Sequence, residues 1–177
     1  MISPDTKSWT WVLERPCPEC GFDASATPAT EVASLVRANA AEWRRLFASA
    51  AIRAGRPNES TWSSLEYMCH VRDVYRRMDS RIDAMLSEDD PTFANWDQDL
   101  SAAEEQYEAQ DASVAIADLE AAAAAMAARL DALTDDEWPR PGRRSDGASF
   151  TLGTIARYMA HDVVHHIWDV EQFAQPR

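Results

Sequence analysis

Apolar residues recur along this chain at intervals of three and four, the period of an α-helix, in four long segments. The first opens at Thr27-Pro28, with Thr27 as N-cap and Pro28 in the first turn. It carries Val32, Leu35, Val36, Trp43, Leu46 and Phe47 on one side and is stopped by Gly55 and Pro57. The second begins with Ser63 and Glu66 in the S-x-x-E pattern of a capping box, with Trp62 and Tyr67 as the hydrophobic staple. Tyr67, Val71, Val74, Met78, Ile82 and Met85 share one arc, which extends this helix to about Leu86. The third starts near Asp111 and passes through LEAAAAAMAARLDAL, where alanine supplies the best helix former and lets a neighbour approach closely. The fourth is capped by Thr151, stapled by Phe150 and Ile155, and runs to about Phe173. Leu152, Ile155, Met159, Val163, Ile167 and Val170 form its apolar arc.

Two connections break this pattern. The long one between the second and third helices is of a length that is usually functional or holds a short helix, which residues 100–108 can supply. In it Trp96, Asp97 and Asp99 are candidates to line a cleft. Before the fourth helix, Asp146-Gly147 is a turn signal for a small hairpin. No internal repeat is visible. The expectation is an all-α four-helix bundle in a single domain: an extended N-terminal arm over residues 1–26, then the bundle over 27–177.

The formal net charge of −13, with no basic stripe, argues against nucleic acid and anionic membrane surfaces as partners. No apolar run approaches the roughly 20 residues of a bilayer span. The N-terminus shows neither a basic nor an apolar leader region, so a cytoplasmic location is expected.

Candidate chemistry concentrates in the histidines. His161, His165 and His166 lie in HDVVHHIWDV, and the fourth, His70, lies in LEYMCHVRDV. His161 and His165 are spaced i, i+4 and share a helix face, so they can chelate one divalent ion. If the second and fourth helices are antiparallel, His70 is level with them to within about one turn of 5.4 Å. His70, His161 and His165 fall on the shoulders of their arcs, whereas His166 points toward the middle of its own. His166 therefore reads as a buried neutral imidazole or a group behind the ligands. Asp162 and His166, also i, i+4, form an alternative pair. Three imidazoles leave open positions for water or substrate, and zinc and nickel both suit them.

The segments LEYMCHVRDV and, about ninety residues on, ARYMAHDVVHHIWDV resemble the DinB-like superfamily, over roughly residues 28–174. That superfamily includes mycothiol-dependent maleylpyruvate isomerases and bacterial thiol S-transferases. The resemblance implies a four-helix bundle, commonly a homodimer, with His70, His161 and His165 on a divalent metal. It implies an enzyme in which the metal activates a low-molecular-weight thiol toward an electrophilic substrate, by transfer or isomerisation. High alanine and arginine usage with little lysine suggests a high-GC bacterium, and hence mycothiol as the thiol. Glu66, one turn before His70, is a candidate base or orienter beside its capping-box role.

The arm departs from that family pattern. CPECG has the form of a zinc knuckle, but one knuckle supplies two ligands and a closed site wants four. Cys69 cannot readily serve with His70, because adjacent helical residues point about 100° apart. Cys17 and Cys20 are thus open to three readings: a redox dithiol, a second metal site with borrowed ligands, or passive packing. Arg140, Arg143 and Arg144 form the only basic cluster, and Arg143 and Arg144 are candidates to bind an anionic cofactor or substrate, or simply a solvated loop. Beside the metalloenzyme stand two other classes: a metal-binding or stress-response protein without turnover, and a thiol redox protein.

Overall fold

The computed structural model describes residues 9–174, with only the backbone of the last two. The first eight residues of the arm lie outside the described part. The described residues form five α-helices: α1 (Val32–Ala48), α2 (Ser64–Ser87), α3 (Gln98–Glu104), α4 (Ala112–Asp131) and α5 (Leu152–Ala174). Four of them build the bundle. α1 packs on α4 and α5, and α2 packs on the same two. Tyr67, early in α2, meets His166, late in α5, whereas Arg81 near the other end of α2 lies in the field of Tyr158. α2 and α5 are therefore antiparallel.

The caps explain where the helices begin. At α2 the Ser63 hydroxyl accepts from the Glu66 N–H and the Glu66 carboxylate accepts from the Ser63 N–H, a complete capping box. Trp62 meets Tyr67 edge-on at 5.6 Å beside it. At α5 the Thr151 hydroxyl accepts from the Thr154 N–H, and the Thr154 hydroxyl accepts in return from the Thr151 N–H. The start of α1 differs from expectation. Thr27 donates its hydroxyl to the Asp23 carbonyl, and a 3₁₀ turn over Ala29–Glu31 precedes the helix. The helix also ends early, at Ala48, where Ala50 turns left-handed with φ +58°. The short helix in the long connection falls at Gln98–Glu104, followed by a 3₁₀ turn at Tyr107–Ala109.

A small sheet completes the fold. β2 (Pro141–Arg144) and β3 (Ser149–Thr151) form the hairpin expected at Asp146-Gly147, with Gly147 at φ +97°. β1 (Thr92–Phe93), from the long connection, adds in parallel on the outer side of β2. Gly142 passes so close to Met85 that a Cβ there would lie 2.7 Å from its side chain. The sheet thus seals the end of α2 remote from His70. At that end Arg140 donates to the Met85 and Glu88 carbonyls, which satisfies acceptors left open at a helix C-terminus.

The core is a continuous apolar cluster between the four long helices, centred on Trp43, Met68, Tyr75, Leu119, Met126, Leu152 and Met159. One polar bridge crosses it. Tyr75 donates to the Asn39 carbonyl oxygen at 2.8 Å, and the Asn39 amide donates to the Val163 carbonyl at 2.7 Å. This ties α1 and α2 to α5 at Val163, within the histidine-bearing part of the helix. Among the described residues no helix is long and apolar enough to cross a membrane.

Candidate metal centre

The structure does not gather His70, His161 and His165 into one group. Two sets of donors form instead: Cys17, Cys20, His161 and His165, and separately His70, Asp162 and His166, with the ligand atoms of each set within 4.8 Å of one another. The reason lies in α5. Successive residues differ by about 100° around a helix, so 161 and 165 face one way while 162 and 166 face another. The first pair meets the N-terminal arm and the second meets α2.

In the set facing α2, His70 is fully buried, and neither ring nitrogen has a hydrogen-bond partner. Its Nε2 stands 3.7 Å from Asp162 Oδ1, too far for a hydrogen bond. Trp96 stacks on the ring at 5.1 Å and nearly parallel, Trp62 lies 5.1 Å away, and His166 meets it edge-on at 4.8 Å. Trp96, one of the candidates to line a cleft, therefore lines this one. Asp97 does not, because its carboxylate caps α3 through the Leu100 N–H.

His166 is the surprise of the set. Its Nε2 lies 3.0 Å from Asp162 and its Nδ1 2.8 Å from Asp169, so both nitrogens face carboxylates. Burial opposes its charge, but the two carboxylates outweigh burial and push its pKa up to about 9. These partners favour the charged imidazolium over the buried neutral imidazole, one of the two readings of its place on the wheel. Burial likewise opposes the charge of Asp162, yet the hydrogen bond with His166 holds its pKa far below the carboxylate range. His70 is pushed down, chiefly by burial, and stays neutral.

In the other set, Cys17 Sγ lies 3.7 Å from His165 Nδ1. The His165 Nε2 faces Glu19, at 3.4 Å, and Asp169, at 3.8 Å. His161 Nε2 is buried without a hydrogen-bond partner. Burial pushes His161 down to about 4, and burial also lowers His165, so both imidazoles are neutral at pH 7. Burial raises the Cys20 thiol to about 11, against a lowering contribution from the Phe22 backbone.

The remaining candidates are engaged elsewhere. Glu66 is consumed by the capping box and by an ion pair with Arg56. Arg143 pairs with Asp90, and Arg144 pairs with Asp146 at 2.8 Å while lying over the Phe150 and Tyr158 rings. Cys69 is buried and donates to Gln110. The sequence left two contributors unnoticed, Asp169 and Glu19. The usable signal for the set on α2 was the inward direction of His166, which marked 162 and 166 as the pair facing the bundle.

Both sets fit a divalent ion. Buried imidazole nitrogens without partners cost about 1–3 kcal/mol each, and they sit here beside other ligand-type atoms. Two imidazoles with one carboxylate match a catalytic zinc site that keeps an open position, whereas two thiolates with two imidazoles match a closed one.

Comparison with known proteins agrees with the architecture. Residues 38–170 match the family model of the DinB superfamily. Among solved structures, YfiT from Bacillus subtilis is similar, with a TM-score of 0.71 and 17% identity over 82% of this chain and 86% of that one. YfiT is described as "a probable metal-dependent hydrolase with an unusual four-helix bundle topology". Among curated proteins nothing matches the chain.

Proposed function

The chain belongs to the DinB superfamily, and we propose that it is a divalent-metal-dependent enzyme whose working ion is held by His70, Asp162 and His166. The observation that carries this reading is the fully buried His70, with both nitrogens unpartnered, beside an aspartate and a histidine on the facing helix. Zinc or nickel suits these donors. An ion there would act as a Lewis acid that lowers the pKa of a thiol or water brought to its open position.

The protein residues have separable roles. His70 and His166 supply neutral imidazole nitrogens, which requires His166 to give up its proton from Nε2 while keeping the one shared with Asp169. Asp169 then fixes the orientation and basicity of His166. Asp162 supplies the negative charge. Trp62 and Trp96 cover His70 and Tyr67 lies against His166, while Asp162 and His166 keep partial exposure on the side a substrate would enter. The reaction class we infer is transfer or isomerisation with a small thiol of the mycothiol type and an electrophilic substrate.

The test is metal content and turnover together. Wild-type protein incubated with a small thiol and a panel of electrophiles should consume thiol, and His70→Ala and Asp162→Ala should lose both the ion and turnover. An undiminished metal content in His70→Ala sinks the assignment. Hydrolysis of ester or amide substrates without thiol would replace transfer by the activity described for YfiT. The cover of Trp96 over His70 supports a second reading, metal binding without turnover, which a metal-loaded but inert protein would select.

A further inference from the structure

We propose that Cys17, Cys20, His161 and His165 hold a second, structural zinc ion, which fastens the N-terminal arm across α5. This ion is independent of the one assigned to His70, Asp162 and His166.

The separation of the donors is the first argument. Zinc–sulfur bonds of about 2.3 Å and zinc–nitrogen bonds of about 2.0–2.1 Å at tetrahedral angles put S and N about 3.6 Å apart. Cys17 Sγ and His165 Nδ1 are 3.7 Å apart, and all four donors lie within 4.8 Å of one another. A Cys₂His₂ set fills a tetrahedron and, with two thiolates against a divalent ion, leaves no net charge to bury. Soft thiolate with imidazole favours zinc over the oxygen-seeking cations.

The backbone is shaped for it. Cys17 accepts at its carbonyl from the Gly21 N–H at 2.9 Å, and its own N–H donates to the Phe22 carbonyl at 2.9 Å. This folds the C-x-x-C segment into a tight turn that aims both sulfurs the same way. Gly21 closes the turn at φ +75°, a left-handed conformation that favours glycine. Glu19, inside the knuckle, faces the outer nitrogen of His165 at 3.4 Å, the arrangement in which a carboxylate orients a metal-bound imidazole.

The surroundings point the same way. Cys17, His161 and His165 are buried, and His161 Nε2 has no hydrogen-bond partner. Trp9 lies 5.7 Å from the His161 ring and 5.5 Å from that of His165, and Phe22 lies 6.5 Å from His161. All three cysteines are free, so no disulfide occupies the knuckle. Among the described residues, the arm also meets α5 through long hydrogen bonds from Arg157 to the Ala24 and Ser25 carbonyls, and Val12 is buried.

Elemental analysis of zinc-loaded full-length protein, after removal of loosely bound metal, should find two ions per chain. The Cys17→Ser/Cys20→Ser double variant should retain one, and His70→Ala should lose the other. Cobalt substitution of the wild type should give a thiolate-to-cobalt charge-transfer band and intense tetrahedral visible bands. These should persist in His70→Ala and vanish in the double variant. A fold-independent arm uses wild type alone: Cys17 and Cys20 should resist alkylation until a chelator is added, with peptide mapping to distinguish them from Cys69. Unchanged metal content in the double variant, cobalt binding without the thiolate band, or equal alkylation before and after chelation would each overturn the proposal.

Discussion

Asp169 stands between the two donor sets. Its Oδ2 lies 2.8 Å from His166 Nδ1, and its Oδ1 lies 3.8 Å from His165 Nε2. A carboxylate in this position orients and polarises the His166 imidazole, whereas His165 lies beyond its hydrogen-bond reach. Removal of such a partner typically weakens metal binding about 10–100-fold. Asp169→Asn keeps the shape and removes the charge, so affinity at the His70 set should fall within that range. Competition against a chromophoric chelator measures it, and an unchanged affinity would remove Asp169 from the site. At this scale the sequence was readable in types but not in partners. His161 and His165 were legible as a pair through their spacing. That their companions are Cys17 and Cys20, more than a hundred positions away, depends on where the arm lies.

Helix ends were the most legible elements, because a cap is local. Ser63 with Glu66 and Thr151 before Leu152 begin their helices through side chains only three residues distant. Thr27 misled for the opposite reason, since its hydroxyl is drawn to the Asp23 carbonyl in the preceding turn. The parallel pairing of β1 was invisible, because two residues of strand carry no period and pair with a segment fifty positions on.

Asp73 ties α2 to the 3₁₀ turn at Tyr107–Ala109. Arg72 donates to both its oxygens, and the Tyr107 hydroxyl donates at 2.6 Å. Burial opposes its charge, but these partners outweigh burial and hold its pKa below the usual carboxylate value. The sign follows from the lowered folded-state pKa. The stabilisation is complete above the unfolded value of about 3.9 and is lost as pH falls through the lower folded one. Asp73→Asn should therefore be less stable than wild type at neutral pH, with the difference shrinking below about pH 4. Urea denaturation across that range checks it, and a difference independent of pH would contradict the ion-pair account.

At the scale of the whole molecule, the bundle and the arm differ in what holds them. The four long helices share a continuous apolar core, whereas the described part of the arm contributes little beyond Val12, Cys17 and Ala24 to the buried set. Chelation should accordingly free the arm before it melts the bundle. Limited proteolysis with a chelator present should cut first near Arg15 while circular dichroism keeps most of its helical signal. Simultaneous loss of both would show that the arm is integral to the core. The sequence by itself determined the helical period, two of the caps, the hairpin turn and the presence of metal-type donors, because each is written in residues near one another. Only the tertiary structure decided which donors meet. A shift of one residue along α5 turns a side chain by about 100°. Whether His70 finds 161 and 165 or 162 and 166 therefore depends on the rotation of α5 against α2, which the packing of the core fixes and no local pattern records.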